Sequence, residues 1–346
     1  MKTEHIHESV RVALVGCGYW GEKLARVFTS LSHAHLVAVC DSDAGRMETI
    51  IKQRSEVDVR LYTSYEALLG ADGVDAVVLA TPPSQHFHMA ERALHAGRHV
   101  WVEKPLALRH AEGETLVSTA ATRERVLFVD ETFLYDPFID EVKRVIEEGS
   151  LGTVHHVSLE RLGLGRIRRD SNVWWNSAPH DLSILFYLLP RKVVRLAYHE
   201  HAHLQPGIAD VATADLDLEG GVSVHMYLSW MNPEKTATLT VVGADRMLTY
   251  EGRHGNRHLT LYDYGLDRRE GAGGGTDGTA IIPVTHLTKT PVEGVPDAEP
   301  LRAAAEEFVD SIRRGTEPRT SGRNSLPVLA LLEAAQRATD GERPGI

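Results

Sequence analysis

Three glycines near the start of the chain, Gly16, Gly18 and Gly21, are spaced as G-x-G-x-x-G. The apolar run at 10–15 before them is typical of a strand buried in a parallel sheet, and 22–31 after them carries apolar side chains at helical spacing. In this context the first glycine permits a tight turn, the second lets the backbone approach a pyrophosphate, and the third lets helix and strand pack closely. The pattern predicts a dinucleotide site at the helix N-terminus, against the alternative of a plain glycine turn.

Asp41 follows the next apolar run, residues 36–40, twenty residues after Gly21. An acidic side chain at this position can accept hydrogen bonds from both hydroxyls of a ribose, and it would repel a 2′-phosphate. Asp41 therefore favours NAD over NADP as the dinucleotide, the alternative being a surface aspartate.

Two further loops follow apolar runs, at the sheet edge where ligands of open α/β folds bind. Thr81-Pro82-Pro83 comes after residues 75–80, and Glu103-Lys104-Pro105 comes after residues 99–102. A lysine in such a loop could polarise a carbonyl or stabilise an alkoxide beside a nicotinamide. The alternative interpretation of Lys104 is a surface lysine at the end of a strand.

The stretch 172–185, N-V-W-W-N-S-A-P-H-D-L-S-I-L, combines tryptophans with polar groups. Pro179 suits the first turn of a helix, which we expect over residues 178–189. His180 and Asp181 would then lie at its start, and the mixture of aromatic and polar groups suggests a pocket for a polyhydroxylated ring. The alternative is that Asp181 caps the helix and His180 is structural.

Two other sets of metal-binding or redox-active side chains point to no site. His199, His201 and His203 alternate along one predicted strand and could face a metal together, but an ordinary strand with solvated imidazoles explains them as well. We therefore expect no metal. The chain has two cysteines, Cys17 and Cys40, which we interpret as small residues near strand ends rather than as a disulfide.

The surrounding elements predict two domains. Strands and helices alternate up to residue 130, which indicates an α/β Rossmann domain with a doubly wound parallel sheet at 8–130. Residues 131–346 are richer in consecutive strands, so we expect an α+β domain with a large, mostly antiparallel open sheet. Closing helices at 301–314 and 325–338 could pack back on the first domain, and the glycine-rich stretch 267–278 is expected to be a loop.

Composition limits the partners of the chain. Of its 346 residues, 42% are hydrophobic and 25% charged, as in ordinary globular proteins, and the formal net charge is −11. This charge argues against non-specific binding to nucleic acid or to anionic membranes. No apolar run approaches the about 18–20 residues of a membrane span, and the first residues do not form a signal peptide, so we expect a cytoplasmic location.

Taken together, these motifs resemble the glucose–fructose oxidoreductase / inositol dehydrogenase / MocA (Gfo/Idh/MocA) family over nearly the whole chain. The resemblance is carried by G-C-G-Y-W-G at 16–21, T-P-P at 81–83 with His86 after it, E-K-P at 103–105, F-L-Y-D-P at 133–137, and R-L-G-L-G with W-W-N-S-A-P-H-D-L-S-I-L at 161–185. It implies NAD(P)-dependent hydride transfer to or from a secondary alcohol or ketone carbon of a sugar, sugar nucleotide or cyclitol. It also implies homodimers or homotetramers built through the open sheet.

The resemblance assigns roles by position. Lys104 matches the active-site lysine of the family, and His180 matches its general acid/base. The cofactor would contact Gly16, Gly18, Tyr19, Trp20 and Gly21 at the pyrophosphate, Asp41 at the ribose, and Thr81, Pro82, Pro83, His86, Glu103 and Lys104 on the nicotinamide side. The substrate would contact Tyr135, Asn172, Trp175 and Asn176.

One position departs from the family pattern. Many members carry an aspartate four residues before the histidine, where this chain has Asn176. An amide supplies no negative charge to stabilise an imidazolium. Either the chemistry tolerates a less basic His180, or His180 is not the essential group.

The sequence therefore predicts an NAD-dependent oxidoreductase that acts on a sugar-like substrate. Three other functions use the same fold: a glycoside hydrolase or epimerase that recycles NAD within each turnover, an imine reductase, and a non-catalytic NAD-binding regulator. The presence of both Lys104 and His180 argues against the regulator.

Overall fold

The computed structural model describes residues 9–52, 58–164, 169, 171–253, 256–266 and 284–339. The chain divides into two compact units, one comprising Met1–Asp136 with Ala298–Glu333 and the other Pro137–Asp297 with Ala334–Ile346. The domain boundary predicted from the sequence lies at 130/131 and places every later residue in the second domain. In the structure, residues 298–333 belong to the first unit.

The first unit begins with alternating strands and helices. Its elements are β1 (Val10–Val15), α1 (Tyr19–Ser30), β2 (Ala34–Cys40), α2 (Ala44–Lys52), β3 (Arg60–Tyr62), α3 (Tyr65–Leu69), β4 (Ala76–Leu79), α4 (Pro83–His95), β5 (His99–Val102), α5 (His110–Thr122) and β6 (Leu127–Val129). The strands pair in parallel in the order β3-β2-β1-β4-β5-β6, which confirms the doubly wound sheet. The order reverses between β1 and β4, and such a switch point opens a ligand crevice at the carboxyl ends of the strands.

The second unit contains a larger, mixed sheet. Its elements are α6 (Pro137–Glu147), β7 (Val154–Leu162), α7 (Val173–Leu188), β8 (Val193–His201), β9 (Val211–Leu218), β10 (Val222–Ser229), β11 (Thr236–Gly243), β12 (Arg246–Arg253), β13 (Asn256–Leu266) and β14 (Val284–Pro291). The order is β14-β13-β12-β11-β7-β10-β9-β8, in which only the β7–β10 pair among the described strands is parallel. This arrangement confirms the mostly antiparallel sheet.

Helix α7 begins earlier than the sequence suggested. The expected start was near Pro179, but the helix begins at Val173, and Pro179 lies buried inside it. Asn172 makes the earlier start possible because its Oδ1 accepts a hydrogen bond from the Trp175 N–H at 3.0 Å. The proline removes one helical hydrogen bond, a loss opposed by the burial of most side chains of α7, which packs on β7, β9 and β10.

Helices α8 (Pro300–Arg314) and α9 (Gly322–Thr339) close the described chain, close to their predicted positions. Phe308 of α8 explains why this segment belongs to the first unit. Its ring makes edge-on contacts with Phe28, Trp101 and Phe128, all at most 1% exposed. Each such aromatic pair adds about 0.5–1.5 kcal/mol beyond the burial of its area.

Strand β14 was not predicted from the sequence. All its residues are exposed, and its large apolar side chains Val284 and Leu287 face no core. The glycine-rich stretch 267–278, which was expected to be a loop, lies outside the described residues.

Within the described part of the chain, no helix has the length and apolar character needed to cross a membrane.

Candidate active site

Two of the three glycines in the β1–α1 turn are required by close backbone contacts. Gly16 has a φ of +91°, and a Cβ there would lie 2.6 Å from the Ala80 carbonyl oxygen. A Cβ on Gly21 would lie 1.9 Å from the carbonyl oxygen of Gly16. Real Cβ atoms do not approach backbone so closely, so these positions hold the turn tight against β4 and against itself.

Gly18 differs from both because a Cβ at this position would meet nothing within 4 Å. It is the N-cap of α1 and offers no side-chain cap, so the first turn of the helix is left open to a ligand. The missing side chain therefore clears space for an incoming group rather than for packing. A pyrophosphate at a helix N-terminus fits this space, and the turn is suited to a dinucleotide such as NAD.

Asp41 is held against this turn at the end of β2. Its Oδ2 accepts a hydrogen bond from the Cys17 N–H at 2.7 Å, and its Oδ1 accepts one from the Asp43 N–H at 2.9 Å. Both bonds leave lone pairs on the carboxylate, because each oxygen can accept two hydrogen bonds. The side chain is thus fixed beside the glycine turn.

We expect NAD to bind at least about fivefold more tightly than NADP, because two unit charges 4 Å apart repel by about 1–4 kcal/mol near a protein surface. Asp41→Asn should lose most of this discrimination. Its amide oxygen can keep one of the two backbone hydrogen bonds, whereas its NH2 group cannot accept the other. Asp43→Asn is the matched control, since Asp43 accepts from the Gly45 N–H at the start of α2. Calorimetric titration measures the Kd of NAD and of NADP for each protein. Equal affinities of the unmodified protein for the two dinucleotides would contradict the assignment of Asp41 to the ribose.

Two aromatic side chains stand exposed in the first turn of α1. Tyr19 is 50% exposed and Trp20 is 38% exposed, and their rings meet edge to face. The Lys23 Nζ lies 4.4 Å from the centre of the first ring and 4.8 Å from that of the second. This cation–π contact holds a positive charge one turn from the proposed phosphate position.

The Thr81-Pro82-Pro83 loop follows β4, and Pro83 is the first residue of α4. Pro82 is exposed, while Thr81 and Pro83 are half-buried. His86, in contrast, is 0% exposed, and its ring nitrogens lie 2.7 Å from the Pro105 oxygen and 2.8 Å from the Thr81 oxygen. A contact between His86 and a cofactor would therefore have to pass through the loop.

Lys104 is half-buried beside a cluster of acidic side chains that the sequence analysis did not identify. Glu103, Asp130 and Glu131 are at most 7% exposed and follow directly on β5 and β6. Burial and the charge of Asp130 raise the pKa of Glu103, and burial raises the pKa of Asp130 to about 6 and that of Glu131 to about 7. The positive charge of Lys104 lowers the pKa of both Glu103 and Asp130, against the larger effect of burial. Glu103 faces this cluster and not an open surface.

Tyr135 lies in the core of the first unit. It is 6% exposed, its ring stacks on Phe128 with centroids 6.1 Å apart, and its hydroxyl lies 3.2 Å from the Thr320 Oγ1. Burial raises the pKa of the phenol. The structure thus gives Tyr135 the surroundings of a core residue, and its expected contact with the substrate stays a prediction.

In the second unit, α7 presents Trp175, Asn176 and His180 as half-buried side chains on a helix that is otherwise largely buried. Asn176 and His180 are four residues apart within one helix and therefore share a face. Residues at this spacing have Cβ atoms about 5–6 Å apart. Asn172 lies at the start of the same helix, and its expected contact with the substrate stays a prediction. Its side-chain oxygen Oδ1 caps the helix, and its Nδ2 lies 3.4 Å from a carboxylate oxygen of Glu200. Both polar atoms of the side chain therefore make hydrogen bonds within the protein.

Asp181 forms a buried ion pair with Arg161 of β7. The guanidinium donates hydrogen bonds of 2.6, 2.9 and 3.2 Å to the two carboxylate oxygens, and the side chains are only 16% and 4% exposed. The pair ties α7 to the sheet directly beside His180. No local sequence signal indicated this contact, because Arg161 stands in a strand that mixes apolar and polar residues and Asp181 was interpreted as a helix-start residue.

Cys17 and Cys40 are both buried free thiols, and burial raises the pKa of Cys17 to about 12 and that of Cys40 to about 11. His201 and His203 stack with ring centroids 5.8 Å apart. Among the described residues, no group of three or more histidine, cysteine, aspartate or glutamate side chains is arranged to hold a metal ion.

Comparison with known proteins assigns both units to one family. Residues 10–131 match the family described as "Oxidoreductase family, NAD-binding Rossmann fold", and residues 139–249 match the "GFO/IDH/MocA C-terminal domain". D-apiose dehydrogenase from Paraburkholderia graminis is 29% identical over 93% of this chain and 85% of its own length. Inositol 2-dehydrogenase 1 from Saccharopolyspora erythraea is 27% identical over 97% and 96%.

A solved structure supports the same assignment. UDP-N-acetylglucosamine 3-dehydrogenase from Acidithiobacillus ferrooxidans superposes with a TM-score of 0.78 at 25% identity, covering 94% of this chain and 96% of that protein. Because matches to the two domains of one family together span most of the chain, and the fold agrees with them, this protein is an oxidoreductase of the Gfo/Idh/MocA family with an NAD-binding Rossmann domain.

Proposed function

We propose that this protein is an NAD-dependent dehydrogenase that acts on a secondary alcohol of a sugar, cyclitol or sugar nucleotide. The observation that carries the proposal is the match along nearly the whole chain to dehydrogenases whose names specify an aldose, an inositol and a nucleotide sugar. The open backbone at Gly18 and the fixed carboxylate of Asp41 support NAD as the cofactor.

The chemistry divides between the cofactor and the side chains. NAD, when bound by the Gly16–Gly21 turn and Asp41, supplies the hydride acceptor. Lys104 donates a hydrogen bond to the reacting oxygen and stabilises the charge that develops on it. His180 accepts the hydroxyl proton as general base, and in the reverse direction it returns that proton.

A small panel of alcohols tests the proposal. Purified protein with NAD is supplied with myo-inositol, D-apiose or UDP-N-acetylglucosamine, and the absorbance of reduced nicotinamide is followed. At least one of these three alcohols should give steady NADH formation that saturates with its concentration. NAD binding without NADH formation on any of them would refute the proposed substrate class.

Asn176→Asp should move the pH dependence of the reaction to higher pH. A carboxylate on the same helix face raises the pKa of the His180 imidazole because it stabilises the charged form. Oxidation requires the neutral ring as base, so the limb of kcat/KM that reports this ring should shift to more alkaline pH. Reduction requires the charged ring, so more activity should persist at high pH. The measurement is kcat/KM against pH in both directions.

Asn256→Asp on β13 adds the same charge away from α7 and serves as the control. Superimposable profiles for Asn176→Asp and the unmodified protein, with an inactive His180→Ala, would show that the two side chains do not communicate. An active His180→Ala would instead show that His180 is structural.

Two wider expectations belong to the same proposal. We propose that the protein acts as a homodimer or homotetramer built through the open sheet, as family membership implies, and that it acts in the cytoplasm. NAD dependence is the part of the proposal that the structure supports most directly, through Gly18 and Asp41.

A further inference from the structure

His86 connects the two loops that carry the proposed cofactor and lysine positions of the first unit. It lies in the first turns of α4 and is 0% exposed. Its Nδ1 is 2.7 Å from the Pro105 carbonyl oxygen, and its Nε2 is 2.8 Å from the Thr81 carbonyl oxygen. We call this arrangement, from the Thr81 oxygen through His86 to the Pro105 oxygen, the His86 bridge.

Both contacts in the bridge end on carbonyl oxygens, which only accept hydrogen bonds. A ring nitrogen must carry a hydrogen to donate to either carbonyl, and both nitrogens carry one only in the positively charged imidazolium. Two hydrogen bonds from this one buried ring therefore require that form. With a single hydrogen on the ring, a nitrogen lone pair would face a carbonyl lone pair at hydrogen-bond distance.

The two loops need this side chain because they are poor in backbone donors. The regular pairing of the sheet reaches Ala80, whose N–H donates to the Val15 oxygen, and Glu103, whose N–H donates to the Leu79 oxygen. Pro82, Pro83 and Pro105 follow, and proline has no N–H to donate. A side-chain donor can join one loop to the other, and His86 places one ring nitrogen at each carbonyl.

We propose that His86 is a positioning residue that holds the Thr81–Pro83 loop and the Lys104–Pro105 segment in register for the reaction. It acts through the two carbonyls and contacts neither cofactor nor substrate. The Nδ1 bond fixes the backbone next to Lys104, and the Nε2 bond fixes the loop expected beside the nicotinamide. The part concerning Lys104 rests on the proposed function, whereas the part concerning the Thr81 loop rests on cofactor binding alone.

Two substitutions separate the halves of the bridge. The amide nitrogen of asparagine stands where Nδ1 stands in histidine, so His86→Asn should keep the Pro105 bond and lose the Thr81 bond. The amide nitrogen of glutamine reaches the Nε2 position, so His86→Gln should keep the Thr81 bond and lose the Pro105 bond. His88, exposed on the same helix, gives the controls His88→Asn and His88→Gln.

We expect the two variants to differ in which quantity they change. His86→Gln should lower kcat by about tenfold or more, because small misplacement of a catalytic group is costly, and leave the Kd of NAD close to that of the unmodified protein. His86→Asn should raise the Kd of NAD severalfold and lower kcat less. Kd is measured by calorimetry, kcat with the fastest alcohol of the panel, and Tm for every variant.

Equal losses of kcat and NAD affinity in both variants, in step with a lower Tm, would show that His86 only stabilises the fold and would overturn the proposal. Unchanged values in both variants would overturn it as well. The affinity measurement needs no turnover, so it also separates the two proposals. If Lys104→Ala stays fully active while His86→Asn weakens NAD binding, the role of Lys104 fails and the bridge to the Thr81 loop stands.

Discussion

Replacing Lys104 by alanine is expected to lower kcat by about a hundredfold or more, the ordinary contribution of a positioned acid–base group. The variant loses the hydrogen bond to the reacting oxygen and the charge that stabilises a developing alkoxide. NAD affinity should change much less, because the dinucleotide is held mainly by the glycine turn and Asp41. Steady-state kinetics with the fastest panel alcohol and calorimetry with NAD measure the two effects separately.

Lys52→Ala is the matched control, because this lysine is 77% exposed on α2 and pairs only with Glu48 among its described contacts. Its kinetics should equal those of the unmodified protein. A Lys104→Ala variant that keeps full turnover would show that the family resemblance misleads about the mechanism. A variant that loses NAD affinity as strongly as turnover would instead place Lys104 in cofactor binding.

Gly18→Ala should weaken NAD binding while leaving the fold intact. The added methyl group meets no protein atom within 4 Å, and the φ of −76° suits alanine, so Tm should fall only slightly, by the small cost of alanine at a helix N-cap. The same methyl group would fill the space we assign to the pyrophosphate. Overpacking costs about 1–3 kcal/mol, which corresponds to a roughly 5- to 150-fold increase in the Kd of NAD.

Gly21→Ala provides the contrast. Its Cβ would lie 1.9 Å from the Gly16 oxygen, so this variant should lose stability as well as NAD affinity. Comparing Tm and Kd for the two variants separates a ligand surface from a packing contact. Gly18→Ala with unchanged NAD affinity would mean that the pyrophosphate does not pass over Gly18, and the proposed cofactor position would be wrong.

The fold was predictable because its signals are local. The glycine turn, the buried runs and their alternation with amphipathic helices indicated the parallel sheet, and the consecutive strands indicated the antiparallel one. The start of α7 was not predictable from the same signals. Pro179 suggests a helix start on its own, and only the tertiary burial of the whole helix and the cap at Asn172 explain why it lies inside one.

The surroundings of some candidate residues were predictable from the sequence, whereas the roles of all of them stay predictions. Gly18 and Asp41 have the surroundings that the motif implies, since the motif is defined by backbone geometry. Tyr135 and His86 lie in buried surroundings that depend on residues distant in sequence, Thr320 in one case and Pro105 in the other. A sequence pattern places such a side chain near a site without showing whether it faces a ligand or holds a loop.

The transfer of a carbon-bound deuterium tests the central claim most directly. The fastest panel alcohol is prepared with deuterium on the carbinol carbon that is oxidised, and the reduced cofactor is examined by mass spectrometry. Direct hydride transfer predicts NADH that carries one deuterium and a ketone product in equal amount. Product formed without net reduction of NAD, or NADH whose new hydrogen comes from solvent, would contradict a dehydrogenase. The former result would instead identify an enzyme that recycles its cofactor within each turnover.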